Sequence, residues 1–135
     1  MNAHGGGAGA LPAAVAALVG CTVRRFVVDD SLTLVLQGAD REASLRIDNE
    51  GYLQRGTERN DLSPDADPAG LAPALSLLGV RVAEAFIRED GRLELRFGDG
   101  ALLAALPHEH QVSWSVQTAG GGSAACIAEG RVVWE

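Results

Sequence analysis

Alternating apolar and polar side chains mark most of this chain. Leu93, Leu95 and Phe97 alternate with Arg92, Glu94 and Arg96, a period of two that gives a strand one dry face and one wet face. Asp90-Gly91 before it and Gly98-Asp99-Gly100 after it are turn sequences, because glycine accepts positive φ without steric cost. Leu32, Leu34 and Leu36 alternate with Thr33, Val35 and Gln37, and Ala43, Leu45 and Ile47 alternate with Glu42, Ser44 and Arg46. These patterns predict a hairpin of strands 22–28 and 32–36 around Asp29-Asp30-Ser31. A third strand follows the turn at 38–40, with a short extension at 51–53. Residues 101–106 are apolar on both faces and predict a central strand, ended by Pro107. Val112, Trp114 and Val116 alternate with Ser113, Ser115 and Gln117. A glycine turn at 120–122, a strand at 123–128, a turn at Glu129-Gly130 and a last strand at 131–134 complete a meander.

Two segments predict helices. Residues 12–19 carry Pro12 at the first helical position and Gly20 where a left-handed cap is wanted. Residues 68–78 follow Asp67 as a cap, with Leu71, Leu75 and Leu78 on one face at i, i+4 and i+7; Pro73 suits the first turn of a regular helix that begins near Leu71. The punctuation recurs. Leu18, Gly20 and Val23 match Leu77, Gly79 and Val82 at an offset of 59, and Leu34 matches Leu95 at 61. One duplicated helix–strand–strand unit, with a second hairpin about two residues longer, explains both stretches. The expected organisation is a flexible Gly/Ala tail at 1–10 and a single domain at 11–135. Within the domain come a first repeat at about 11–47, an acidic connector at 48–67, a second repeat at about 68–106 and C-terminal hairpins at 107–135. The expected fold class is α+β: one twisted antiparallel sheet of about seven to nine short strands, built from two related halves, with two short helices packed on it.

Composition adds constraints. The 135 residues suffice for one core, and that core is aliphatic, since 47% of residues are hydrophobic but only 4% aromatic. The formal charge of −7 disfavours nucleic acid or an anionic membrane as partner, both of which need a basic surface. No apolar run approaches the roughly 18–20 residues of a membrane span. The N-terminus lacks the basic stretch of a signal peptide. Cys21 and Cys126, far apart and without CxxC spacing, read as small buried hydrophobes in a reducing cytoplasm.

The C-terminal WSVQTAGGGSAACIAEGRVVW, the two L-x-G-x-x-V starts and DGRLELRFGDG together resemble a family of small actinobacterial proteins of unknown function. The likeness spans about 18–134 and departs from the family pattern just before Trp114, where Gln111-Val112-Ser113 replaces an acidic and aromatic pair. It implies a fold and no catalytic residues.

Candidate chemistry is sparse. His108 and His110 flank Glu109 and would point the same way on a strand, but a metal site needs further ligands, and a polar turn explains them as well. Ser113 or Ser115 with His110 lacks a nucleophile elbow. Asp29-Asp30 and Glu89-Asp90 are explained by turn chemistry. The connector holds Asp48, Glu50, Glu58, Asp61, Asp65 and Asp67 against Arg55 and Arg59, either a solvated link or an acidic surface for a basic partner. Trp114 and Trp134 would be core, or, if exposed, interface anchors. The sequence therefore leads to an expectation of a non-catalytic protein-binding module with an acidic surface, in an immunity-like, antitoxin-like or adaptor role, with no cofactor and a basic protein as partner. The alternatives are a small-ligand domain or minor enzyme with a pocket between sheet and helices, and a homodimer pairing through sheet edges.

Overall fold

The computed structural model describes residues 2–4, as backbone, and residues 11–135. Among the described residues the alternating segments pair into two antiparallel sheets. The seven-stranded sheet runs β1 (Asn2–His4), β12 (Arg131–Trp134), β11 (Ser123–Ile127), β10 (Trp114–Thr118), β4 (Glu42–Ile47), β3 (Leu32–Gln37) and β2 (Thr22–Val28). The five-stranded sheet runs β6 (Glu58–Leu62), β5 (Gly51–Arg55), β9 (Leu102–Ala105), β8 (Leu93–Phe97) and β7 (Val82–Ile87). The fold is broadly α+β, but the expected single sheet of seven to nine strands is corrected to two sheets. Much of the difference lies in 48–67, expected as a connector. It contains the β5–β6 hairpin, because Tyr52, Leu53 and Leu62 are buried while Glu58, Arg59 and Asp61 face water from an edge strand. Of the expected tail, residues 2–4 pair with Val132, Val133 and Trp134; residues 1 and 5–10 lie outside the described residues.

The order of pairing crosses the halves of the chain. β4 leads into β5, which leaves for the other sheet and pairs with β9; β9 leads into β10, which returns and pairs with β4. Each three-stranded set is therefore extended by a hairpin from the opposite half. The sheets also touch at one joint, the bridge between Thr22 and Arg81. Around it the Val23 N–H donates to the Val80 carbonyl (3.1 Å) and the Val82 N–H to that of Cys21 (2.9 Å). The Gly20 N–H donates to Val82 and the Gly79 N–H to Val23, both at 2.8 Å. Shifting each residue by 59 positions exchanges the members of each pair of bonds. The two hairpins β2–β3 and β7–β8 also break register at equivalent places, between Val23 and Arg25 and between Val82 and Glu84.

Both sheets feed one aliphatic core. Leu34 lies between Phe26 and Leu45, Leu95 between Ala85 and Leu103, and both leucines are buried. Leu93 and Phe97 point inward as the alternation requires. Trp114 is fully buried and its indole N–H donates to the Gly91 carbonyl at 2.9 Å. Beside that bond the turns at Gly91 and Gly130 abut backbone to backbone, and a Cβ on either would overlap the other turn's main chain. Trp134 shares the inner sheet face with Val116 and Ala124 through the ladder and is partly buried against the core. Val112, expected to continue the inward row, is 43% exposed while Ser113 is buried, since the strand begins only at Trp114.

The expected helices are shorter or tighter. The first is α1 (Ala13–Ala16), started by Pro12 and followed by a turn to Gly20 at φ +91°. The second, Pro68–Leu77, is a 3₁₀ helix, with the Gly70 N–H donating to the Asp67 carboxylate at 3.1 Å. The expected face of Leu71, Leu75 and Leu78 is corrected: Leu71, Ala74 and Leu77 are buried, and Leu75 and Leu78 are about half exposed. The ring of Pro73 would clash with the carbonyl four residues back in an α-helix; the segment winds instead at about three residues per turn, so every third residue faces inward.

Candidate functional site

The first candidate is a polar cleft of about 280 Å³ lined by Asp30, Arg46, Asp48, Asn49, Asp65, Gln111 and Val112. Its parts come from four places along the chain. Asp30 sits in the β2–β3 turn, Arg46 on the outward face of β4, Asp48 and Asn49 just beyond β4, Asp65 before the 3₁₀ helix and Gln111 before β10. Arg46 Nε donates to Asp48 at 2.7 Å, and its Nη2 lies 3.8 Å from Asp30. The bond to Asp48, then that residue's charge, raises the Arg46 pKa above its ordinary value. Asn49 Nδ2 donates to the Val112 carbonyl at 3.0 Å and ties the two rims together. Next to Asp30, Asp29 accepts from the Ser31 hydroxyl at 2.7 Å and the Ser31 N–H at 2.8 Å, and these bonds hold its carboxyl below the usual range. Three carboxylates and one guanidinium line the cleft, which makes its lining acidic on balance.

The second candidate is an apolar groove, also about 280 Å³, between β2 and the 3₁₀ helix. Phe26, Val28 and Leu32 form one wall and Ala69, Ala72 and Leu75 the other. Its walls offer few polar groups to orient a small ligand, which specific small-molecule sites require.

The acids singled out in the sequence are divided between these surroundings. Asp48 and Asp65 line the cleft. Asp67 caps the 3₁₀ helix. Asp61 pairs with Arg59 at 3.1 Å beside Tyr52, over whose ring the Arg59 guanidinium stacks at 3.9 Å. Glu58 accepts from Asn60 at 3.3 Å, and Glu50 is exposed, its carbonyl accepting from Leu106. Asp30 reads in the sequence only as a turn residue, and Arg46, Asn49 and Gln111 are not singled out there for a site; the one available hint is Arg46 on the wet face of its strand, two residues before Asp48.

His108 and His110 lie in a bend, not on a strand, with ring centroids 6.1 Å apart. The His108 Nδ1 accepts the His110 N–H at 3.0 Å, which leaves Nε2 as that ring's other nitrogen. Among the described residues no three His, Cys, Asp or Glu side chains are grouped to hold a metal ion. Cys21 and Cys126 are free and buried, and burial raises the pKa of both thiols. A further polar cluster sits on the outer face of the five-stranded sheet. Glu94, only 5% exposed, meets Arg88 at 2.7 Å and Arg92 at 3.1 Å; the buried Arg92 Nε reaches it without hydrogen-bond alignment. Among the described residues no helix is long and apolar enough to cross a membrane.

Residues 14–135 match the family of unknown function DUF6188. The chain belongs to that family. The DUF6188 match takes in the polar cleft, the apolar groove and every strand except β1. No curated protein and no solved structure matches the chain.

Proposed function

We propose that this protein is a non-catalytic binding module that receives a basic side chain of a protein partner between Asp30, Asp48 and Asp65. The observation that supports the reading is the convergence of those carboxylates, from three separate segments, on one cleft with Arg46 as its guanidinium. Arg46 is bonded to Asp48 and lies 3.8 Å from the largely exposed Asp30, so an incoming cation would meet Asp65 and share Asp30 with Arg46. An arginine fork can bond a carboxylate at two points and suits such a rim. The matched bonds around Thr22 and Arg81, and the matched register breaks, favour an origin of the two halves in one copied unit. The two free buried thiols favour a reducing compartment such as the cytoplasm.

The test is calorimetric titration with an arginine-rich peptide. The pair Asp30→Asn and Asp65→Asn should weaken binding by about tenfold or more, and added salt should weaken it further. The pair Glu58→Gln and Asp61→Asn removes the same charge elsewhere and should leave it unchanged. Equal losses from both pairs would mean that diffuse charge is responsible, and the cleft reading would fall.

A further inference from the structure

The sequence Arg24-Arg25-Phe26-Val27-Val28-Asp29-Asp30 lies on and beyond the outermost strand of the seven-stranded sheet. Its backbone directions follow from two hydrogen bonds. The Asp29 N–H donates to the Ser31 carbonyl, so Asp29 and Ser31 are the bonded pair that closes the hairpin. Val28, one step back, then turns its N–H and C=O away from β3, and so does Phe26, because bonded and non-bonded pairs alternate along an antiparallel ladder. Val23 also faces outward, and its groups are taken by Val80 and Gly79; the register break near Arg24 accounts for the odd spacing between Val23 and Phe26. The Phe26 and Val28 main-chain groups therefore lie on an open edge.

The side chains there are unusually apolar for an edge. Val27 is 44% exposed and Val28 48%, and Phe26 and Val28 lead into the groove whose far wall is Leu75, 50% exposed. Natural edges are normally blunted with charge or proline. On the equivalent strand β7, the counterparts of Phe26 and Val28 are Ala85 and Ile87, each only 8% exposed. The charges of β7 are also spent within the chain, Glu84 on Arg96 at 3.2 Å and Arg88 on Glu94 at 2.7 Å. Arg24 and Arg25 have no ion pair among the described residues.

We propose that β2 pairs with β2 of a second copy of this chain, antiparallel, about a two-fold axis at Val27. Face alternation and the outward main-chain groups select this register. Phe26 of one copy stands opposite Val28 of the other, and the two exchange N–H···O=C bonds on each side of the axis. Both side chains of that pair project toward the groove, and the Val27 side chains meet on the other face. The same register sets Arg25 against Asp29 at both ends of the paired strands. The segment is basic at its start and acidic at its end, so it complements itself only when antiparallel. The complementary charges are the reason to assign the edge to a second copy and not to an unrelated apolar segment.

The experiment is sedimentation equilibrium of the full chain over a dilution series, with hydrogen exchange at both ends of the series. The wild type should dimerise, and the Phe26 and Val28 amides should exchange more slowly as the dimer forms. Val27→Lys puts two like charges at the axis and should weaken the dimer by at least about tenfold, while Val27→Thr should leave it intact; circular dichroism checks that both variants fold. A wild type that stays monomeric overturns the proposal. So does a dimer that is indifferent to Val27→Lys, or one in which the Phe26 and Val28 amides exchange as fast as in the monomer.

Discussion

Trp114, Gly91 and Gly130 form a close contact between distant parts of the chain. The indole reaches the Gly91 carbonyl, and the two glycine turns, at φ +92° and +75°, meet with no room for a side chain. Gly130→Ala should therefore cost about 2–4 kcal/mol, from left-handed strain and overpacking together, read as a drop in the urea midpoint at unchanged slope. Trp114→Phe should cost about 1–3 kcal/mol, because it leaves a buried carbonyl without its donor. A second residue-scale device is Asp99, which accepts from the Ala101 N–H at 3.0 Å and from Arg55 at 2.7 Å. Burial pushes its carboxyl up, but these partners outweigh burial and its pKa lies below the ordinary 3.8. A lowered folded pKa means that the stabilisation is complete above 3.8 and fades as pH falls from there through the folded value. Asp99→Asn should flatten the acid limb of a stability–pH curve below pH 3.8 and leave its shape near neutrality unaltered.

At the scale of elements, the segment Pro68–Leu77 shows how backbone chemistry overrides side-chain pattern. The spacing of Leu71, Leu75 and Leu78 fits an α-helix, but Pro73 disfavours α winding, and the 3₁₀ turn hands the inner face to Leu71, Ala74 and Leu77. Leu77→Ala should accordingly cost about 2–5 kcal/mol, and Leu78→Ala no more than about 0.5 kcal/mol. Thermal unfolding of the two variants side by side checks the assignment, and the reverse order would restore the α-helical register. The hairpin β5–β6 makes the opposite case. Its net acidity and turn residues disguise it as a connector, because an edge strand with one wet face tolerates the run Glu58 to Asp61.

At the scale of the whole molecule, the exchange of hairpins ties the halves together. Neither half contains the strand that flanks its own third strand, since β10 covers β4 and β5 covers β9. Fragments 1–67 and 68–135 should each lack the sheet signal in circular dichroism, and an equimolar mixture should recover it. A fragment that folds alone would show the halves to be separable. Much of this was legible in the sequence. The strands at 22–28, 32–36 and 93–97, the turns at Gly91 and Gly130, and the burial of Leu34 and Leu95 follow from period two and turn chemistry. The division into two sheets was not, because local alternation states which face is dry and says nothing about which strand lies alongside. For the same reason the polar cleft was only half visible. Asp48 and Asp65 stand out in an acidic run, whereas Asp30 and Gln111 reach them only through pairings between strands far apart in sequence.

That threading also sets a timetable for synthesis. As the chain leaves the ribosome, β4 emerges early but waits for Trp114–Thr118 before its outer edge is closed. Until then that edge of β4 has no partner, so the seven-stranded sheet closes only after both hairpins of the other sheet have been made.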